Sequence, residues 1–454
     1  MTTKLNFRPL ICYSIGNVTL TAIYGYLGMF LLKFYTDHVK LDPALVGWAF
    51  IIRSVVDALI DPGIGYLSDR TRMSGGRRRP YFLLGSIPAA ILFYLMMIPP
   101  SGSPLFVTLY LTIISTLMVC FLSLMGIPHL AFGFEMTADY DERTRIFGYK
   151  NLVENITILI ATFSVPLALM LDGQFVLGRQ LTRADCYCIA AAFLAILSVA
   201  AAVIAYLGTT ESKEYPPDSS NYRFIDGVYG ILSNNAFRIV LIVFVLMTIA
   251  DRLISAEFFI LIEQFHGLRE EDSFGLLLGF FAGGVLSVWP WVWLAQRFGK
   301  DTILRIAIAL WPFACIALVA RHWTEMQLCL VCFCIGAFGT GMVTVMGAMV
   351  PDVLEYDRAR THERREGMYV SIVNVVYQAA MGFGFLIAGQ TLHAIGYRGE
   401  KTDSPELVNG LRVTFGIVPL ISSAIALIAL NYFPITRKSY EALVTTTAPL
   451  YDRQ

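Results

Sequence analysis

A run of roughly 20 predominantly apolar residues recurs twelve times along this chain, and that is the length a helix needs to cross the hydrocarbon core of a bilayer. Six runs lie near 10–32, 43–66, 80–98, 104–133, 150–172 and 187–207, and six more near 236–262, 273–296, 301–320, 325–350, 367–393 and 411–433. Of the 454 residues, 56% are hydrophobic and only 15% charged, whereas an ordinary soluble domain carries about 25% charged residues. A soluble enzyme is therefore excluded, and the bilayer becomes the solvent. The expected fold is an all-α membrane protein with 12 transmembrane helices in two six-helix pseudo-repeats. Its parts are an N-terminal bundle over 1–207, a cytoplasmic central loop over 208–235, a C-terminal bundle over 236–433 and a cytoplasmic tail over 434–454. The first run has no charged leader and no small-residue cleavage site, so it reads as a retained helix.

The placement of charge carries more than its total. With 34 basic and 34 acidic residues, the formal net charge is zero, and nothing argues for a nucleic-acid partner. If the N-terminus is cytoplasmic, 23 Lys and Arg fall in inside segments and nine in outside loops, with Arg53 and Arg252 inside spans. That bias puts both termini in the cytoplasm of a multi-pass protein of the cell membrane. Cys329, Cys332 and Cys334 sit in the apolar run LCLVCFCIGAFG and read as small buried residues, not metal ligands. GxSxG and HExxH are both absent, so no enzyme chemistry is expected.

The two sets of six echo one another. Asp69-Arg70 after the second run and Gln296-Arg297 after the eighth are 227 positions apart. ADYDER after the fourth run recurs as LEYDRAR after the tenth, 216 positions later. Parallel repeats of this kind are the pattern of major facilitator transporters, whose solute site lies between the halves near the bilayer midplane.

Charges inside spans are the sharpest functional signal, because a charged side chain at a helix centre costs roughly 2.5–3.5 kcal/mol on insertion scales. Arg53, Asp57 and Asp61 in RSVVDALIDP are spaced i, i+4, i+8 and form one stripe on the second helix. Arg53 can neutralise one carboxylate, which leaves the stripe at −1 and able to share a proton or hold a cation. A coupling-ion site is one reading, and an Arg–Asp network that braces helices is the other. Glu154, Asp251, Arg252 and Glu257 are further in-span charges without a pattern that assigns them a role. His129, just after Pro128, is either a packing or a cavity-lining histidine.

The segment DALIDPGIGYLSDRTRMSGGRRRP resembles the glycoside–pentoside–hexuronide:cation symporter family, the group that contains the melibiose permease. The resemblance continues through YTDHVKLDPALVG, GIPHLAFGFEMTADYDERTRI, PDVLEYDRARTHERREGMYVSI and GQTLHAIGY, and so covers both halves. It implies that Asp57 and Asp61 bind the coupling cation, H⁺ or Na⁺, with Ser123 completing the site and Arg53 alongside. Ile60 stands where the melibiose permease has an Asn that assists sodium, so one oxygen is missing and weight moves modestly toward H⁺. No other cofactor or metal is implied. The sugar clamps of the family have changed. Asn17, Gly126, Asn151 and Gln378 stand at or near charged family positions, and with His129, Asn374 and Tyr24 they leave a neutral, aromatic solute pocket. Such a set suits a sugar or glycoside, and it also suits an amphipathic solute such as a lysolipid.

Charged residues of the inner loops, Asp69, Arg70, Arg78, Glu135, Asp141 and Arg143 in the first half and Asp352, Asp357, Arg364 and Glu366 in the second, are expected to gate the inner mouth by ion pairs. The function expected is cation-coupled symport of a small organic solute by alternating access. The partners expected are that solute and the bilayer, with no obligate protein.

Overall fold

A computed structural model describes residues 7–71, 73, 76–137, 140–176, 179–211, 231, 233–361, 366–399 and 404–434. Among the described residues, eleven stretches are helices long and apolar enough to cross a membrane, and the apolar helix Pro80–Met96, of 17 residues, fills the third place in the series. The fold is that of a multi-pass, all-α membrane protein. Most of the central loop and the tail after Pro434 lie outside the described residues.

Each helix begins or ends where its residues dictate. The first is broken at Asn17 into Phe7–Gly16 and Val18–Asp37, and the Asn17 amide turns to Thr21 Oγ1 at 3.0 Å. The second (Pro43–Arg70) and fourth (Pro104–Glu135) start on a proline, whose missing N–H costs nothing in a first turn. Asp42 and Ser103 cap them by accepting from Ala44 N and Phe106 N. A Thr182–Asp185 capping box opens the sixth (Arg183–Gly208), after a short hairpin of Phe175–Val176 and Arg179–Gln180. The seventh (Asn235–His266) is capped by Asn234 and stopped by Gly267 at φ 71°, a left-handed conformation that glycine adopts freely.

Three helices overrun their apolar runs at the end nearest Phe7, called the near face here. The fifth (Tyr140–Leu169) starts ten residues early, the second ends at Arg70, and the tenth (Glu325–Thr361) continues eleven residues past the apolar stretch. At 37 residues and about 1.5 Å per residue the tenth is about 55 Å long, so its polar end stands clear of a core about 30 Å thick.

The eighth (Phe274–Phe298), ninth (Lys300–Ala320), eleventh (Glu366–Ala394) and twelfth (Pro405–Leu430) helices complete the second half. Between the halves, the second helix lies along the eleventh and the first meets the seventh. Close approach is written in glycine. A Cβ on Gly389 would stand 2.3 Å from Pro43 O, and one on Gly47 would stand 3.1 Å from Leu386 Cα. Phe30 stacks on Phe259 at 5.0 Å between centroids, Phe50 packs tilted against Phe385 at 4.5 Å, and these rings fill the seam toward the far face.

Candidate functional site

The stripe on the second helix faces protein. Asp57 is only 2% exposed, and its Oδ1 accepts from Ser123 Oγ of the fourth helix at 2.7 Å. One turn on, Asp61 Oδ2 accepts from Gln378 Nε2 of the eleventh helix at 3.0 Å, a bond that crosses between the halves. Arg53 is buried one turn before Asp57 but forms no ion pair with either carboxylate among the described residues. Its guanidinium lies over the rings of Tyr24 and Phe50, at 5.3 and 5.0 Å from their centroids. A cation among aromatic faces is held by their quadrupoles and is not paired directly with either carboxylate. Tyr24, Arg53, Ser54, Phe50, Gly382 and Phe385 line a crevice of about 10 Å³ there, room for about one water.

The remaining residues of the expected solute pocket do not converge on that stripe. His129 is buried, stacked on Tyr13 at 4.4 Å, and bonded through Nε2 to Tyr13 O at 2.9 Å; of its two readings, packing is the one seen. Asn17 is satisfied by Thr21. A side chain at Gly126 would meet Leu20 at 3.1 Å, so the first helix covers that position. Asn151 and Asn374 are exposed, and Asn151 O accepts from Asn155. Of the expected pocket, Gln378 and Tyr24 reach the charged stripe, the one at Asp61 and the other at Arg53.

Several near-face charges pair within one half. Glu135 takes Arg77 and, at 3.0 Å, Arg78, both from the first half. Lys300 reaches Asp352 at 2.7 Å, and Asp357 accepts from Asn234 at 3.5 Å, both within the second. Arg70 is exposed and lies 4.1 Å over the Tyr66 ring. Arg364 and the side chains of Asp69, Asp141, Arg143 and Glu366 fall outside the described residues.

At the far face the charges join the halves, and sequence reading did not find them. Lys33 on the first helix is 1% exposed. It is bonded to Asp37 at 2.7 Å, to Glu263 of the seventh helix, and to Glu270 at 3.4 Å. Tyr397 donates to Asp37 at 2.6 Å, Tyr187 to Glu270 at 2.5 Å, and Arg183 pairs with Glu271 at 3.0 Å. Lys40 Nζ donates to Gly399 O, and His393 pairs with Asp42 at 2.7 Å. Glu257, deeper on the seventh helix, is fully buried and accepts from Thr391 at 2.7 Å. The far end is clasped.

Two six-helix halves crossing at a buried and a half-buried carboxylate, closed at one face, define a transporter of the major facilitator type. The chain matches the MFS/sugar transport protein family over residues 12–437 and belongs to it. It is 28% identical to the "Uncharacterized symporter YnaJ" of Bacillus subtilis (strain 168), across 97% of this chain and 94% of that one. It is 23% identical to the "Glucuronide carrier protein homolog" of Escherichia coli (strain K12), covering 98% and 96%. It is also 23% identical to the "Sodium-dependent lysophosphatidylcholine symporter 1-A" of Danio rerio, covering 95% and 86%. Among solved structures, a bacterial homologue of the human lysosomal transporter Spinster, inward-facing and occupied, superposes with a TM-score of 0.68 at 12% identity, over 94% of this chain and 98% of that one. The chain is thus a membrane transporter of that fold and not an enzyme.

Proposed function

We propose that the chain couples a cation, H⁺ or Na⁺, to the movement of a small organic solute across the cell membrane, with a sugar or glycoside as the solute class. The halves 1–207 and 236–433 rock about the site between them. The near face, with both termini, is cytoplasmic, in keeping with the excess of Lys and Arg there, and the clasped far face makes this an inward-facing state. One observation carries the reading: a buried Asp57 held by Ser123, one turn from an Asp61 that is held from the opposite half. Two carboxylates in low dielectric, with Arg53 occupied by aromatic rings, call for a cation. Linkage then makes solute and cation raise each other's affinity equally.

The test is gradient-driven uptake into right-side-out vesicles across a panel of glycosides, with and without Na⁺ and with an imposed pH gradient. Asp57→Asn is expected to abolish accumulation while leaving the protein in the membrane. Full accumulation by this variant would sink the coupling assignment.

A second reading, an amphipathic or lysolipid solute, is favoured by one feature. The candidate polar groups Asn17 and His129 are satisfied within the protein, while Leu27, Phe50, Met381 and Phe385 give the seam by Arg53 an apolar wall. Uptake of a fluorescent lysolipid in cells silent toward every glycoside would select it.

A further inference from the structure

Among the described residues, two buried oxygens where the halves cross have nothing to accept from. Gln378 spends its Nε2 on Asp61 Oδ2 at 3.0 Å, and that leaves Asp61 Oδ1 and Gln378 Oε1 buried without a hydrogen-bond donor. Both atoms are acceptors, so neither can satisfy the other. Native proteins rarely leave one such atom bare, and a pair on two bonded side chains marks a place for something positive. Arg53 does not supply it, because its guanidinium is over the Tyr24 and Phe50 rings.

The chemistry of the surrounding donors narrows what fits. Asp57 and Asp61 lie one turn apart on the second helix. Ser123 donates its proton to Asp57 and keeps oxygen lone pairs for another partner. The eleventh helix adds a neutral amide oxygen. A set made only of carboxylate, hydroxyl and amide oxygens is what a hard cation takes. Ile60, beside Asp61, contributes no side-chain oxygen, and the Gln378 amide, already bonded to Asp61, brings an unpartnered oxygen from across the seam.

We propose that Gln378 is a ligand of the coupling ion, an alkali-metal cation of the size of Na⁺ or Li⁺, so that the bound ion is held by oxygens of both halves at once. This rests on the reading of Asp57 and Asp61 as the coupling site. It gives that reading a mechanism: the full oxygen set exists only while the second and eleventh helices are together, so the ion binds the two conformations unequally. Only such differential binding lets an ion drive a conformational equilibrium.

Purified protein in detergent is titrated with NaCl and with LiCl against a choline chloride background, and binding is read by calorimetry. The parent protein is expected to bind one of the two ions. Gln378→Met, close in shape but without the oxygen, is expected to weaken binding by about tenfold or more, as loss of a group supporting a metal site does. Gln378→Glu keeps an oxygen there and is expected to bind at least as tightly as the parent. Asp57→Asn is expected to abolish binding. Parental affinity in Gln378→Met, equal loss in the Met and Glu variants, or a parent that binds neither ion each overturns the proposal. Parental affinity in Asp57→Asn instead overturns the coupling reading beneath it.

Discussion

The two faces of the bundle use the same residue types to opposite ends. At the near face, Arg77 and Arg78 meet Glu135 within the first half, and Lys300 meets Asp352 within the second. Each of these pairs travels with its own half, and all of their members but the buried Arg78 are partly open to water. At the far face, Lys33 is almost fully buried and joins a carboxylate of its own helix to Glu263 and Glu270 across the seam. Opening that face separates a buried cation from partners it cannot take along. Where a charge pair sits relative to the moving boundary therefore decides whether it shapes a half or latches two.

The most forceful way to break the comparison is Lys33→Met, which leaves Asp37, Glu263 and Glu270 facing one another without their cation. Removing one partner of a buried pair costs about 3–5 kcal/mol, so the closed far face is expected to lose at least about 100-fold in population relative to the open one. A cysteine placed at buried Ala256, two turns below Glu263, would report it by its labelling with a membrane-impermeant thiol reagent. Unchanged labelling would mean that Lys33 is no latch.

A smaller effect comes from Glu270, in the connection between the seventh and eighth helices. Burial pushes its carboxyl above the ordinary range, while Lys33 and the Tyr187 hydroxyl draw it back; Arg183 and Asp37 also face it. When the far face opens, water returns, the carboxyl falls toward its ordinary value and a proton is released. Lower pH therefore favours the closed face, by at most about tenfold per pH unit for one proton, and the contribution ends above the raised value. His38 pulls the other way, since burial lowers its own pKa. The prediction accordingly concerns the difference between the parent and Glu270→Gln in the pH dependence of labelling. Superimposable profiles would refute it.

The mildest change is expected at the near face. Glu135→Gln removes an acceptor of Arg77 and Arg78, yet Glu135 and Arg77 are part-exposed and both pairs lie within one half. Exposed pairs contribute about 0.2–1 kcal/mol and are screened by salt, so uptake is expected to change by no more than about fivefold, and less at high ionic strength. A loss as large as that of Lys33→Met would erase the distinction between the faces.

Much of this architecture was legible in the sequence, because span length and hydropathy are local properties. The overrun of the tenth helix was not, because its last turns, PDVLEYDRART, are polar and look like loop until a neighbour supports them. The stripe was legible as three charges at helical spacing, but not the diversion of Arg53 to aromatic rings, since those rings are brought there by folding. Lys33 escaped because a lysine at the end of an apolar run reads as a topological marker, and its partner Glu263 is 230 positions away. Family resemblance pointed to Ser123, which the Asp57 bond supports, and it set Gln378 among solute contacts, whereas the amide lies on Asp61.

Arg53 among its rings bears on how voltage acts. On the coupling scheme above, the empty stripe carries one positive and two negative charges, and a monovalent cation brings it to zero. The loaded protein then reorients with an electrically silent stripe, and the empty one returns with a net charge of −1. A potential negative inside pushes that charge outward, in the direction of the return, with about 2.3 kcal/mol per 100 mV for a charge that crosses the full field. The membrane potential would thus accelerate the unloaded step of the cycle, and its current would be carried by the protein itself.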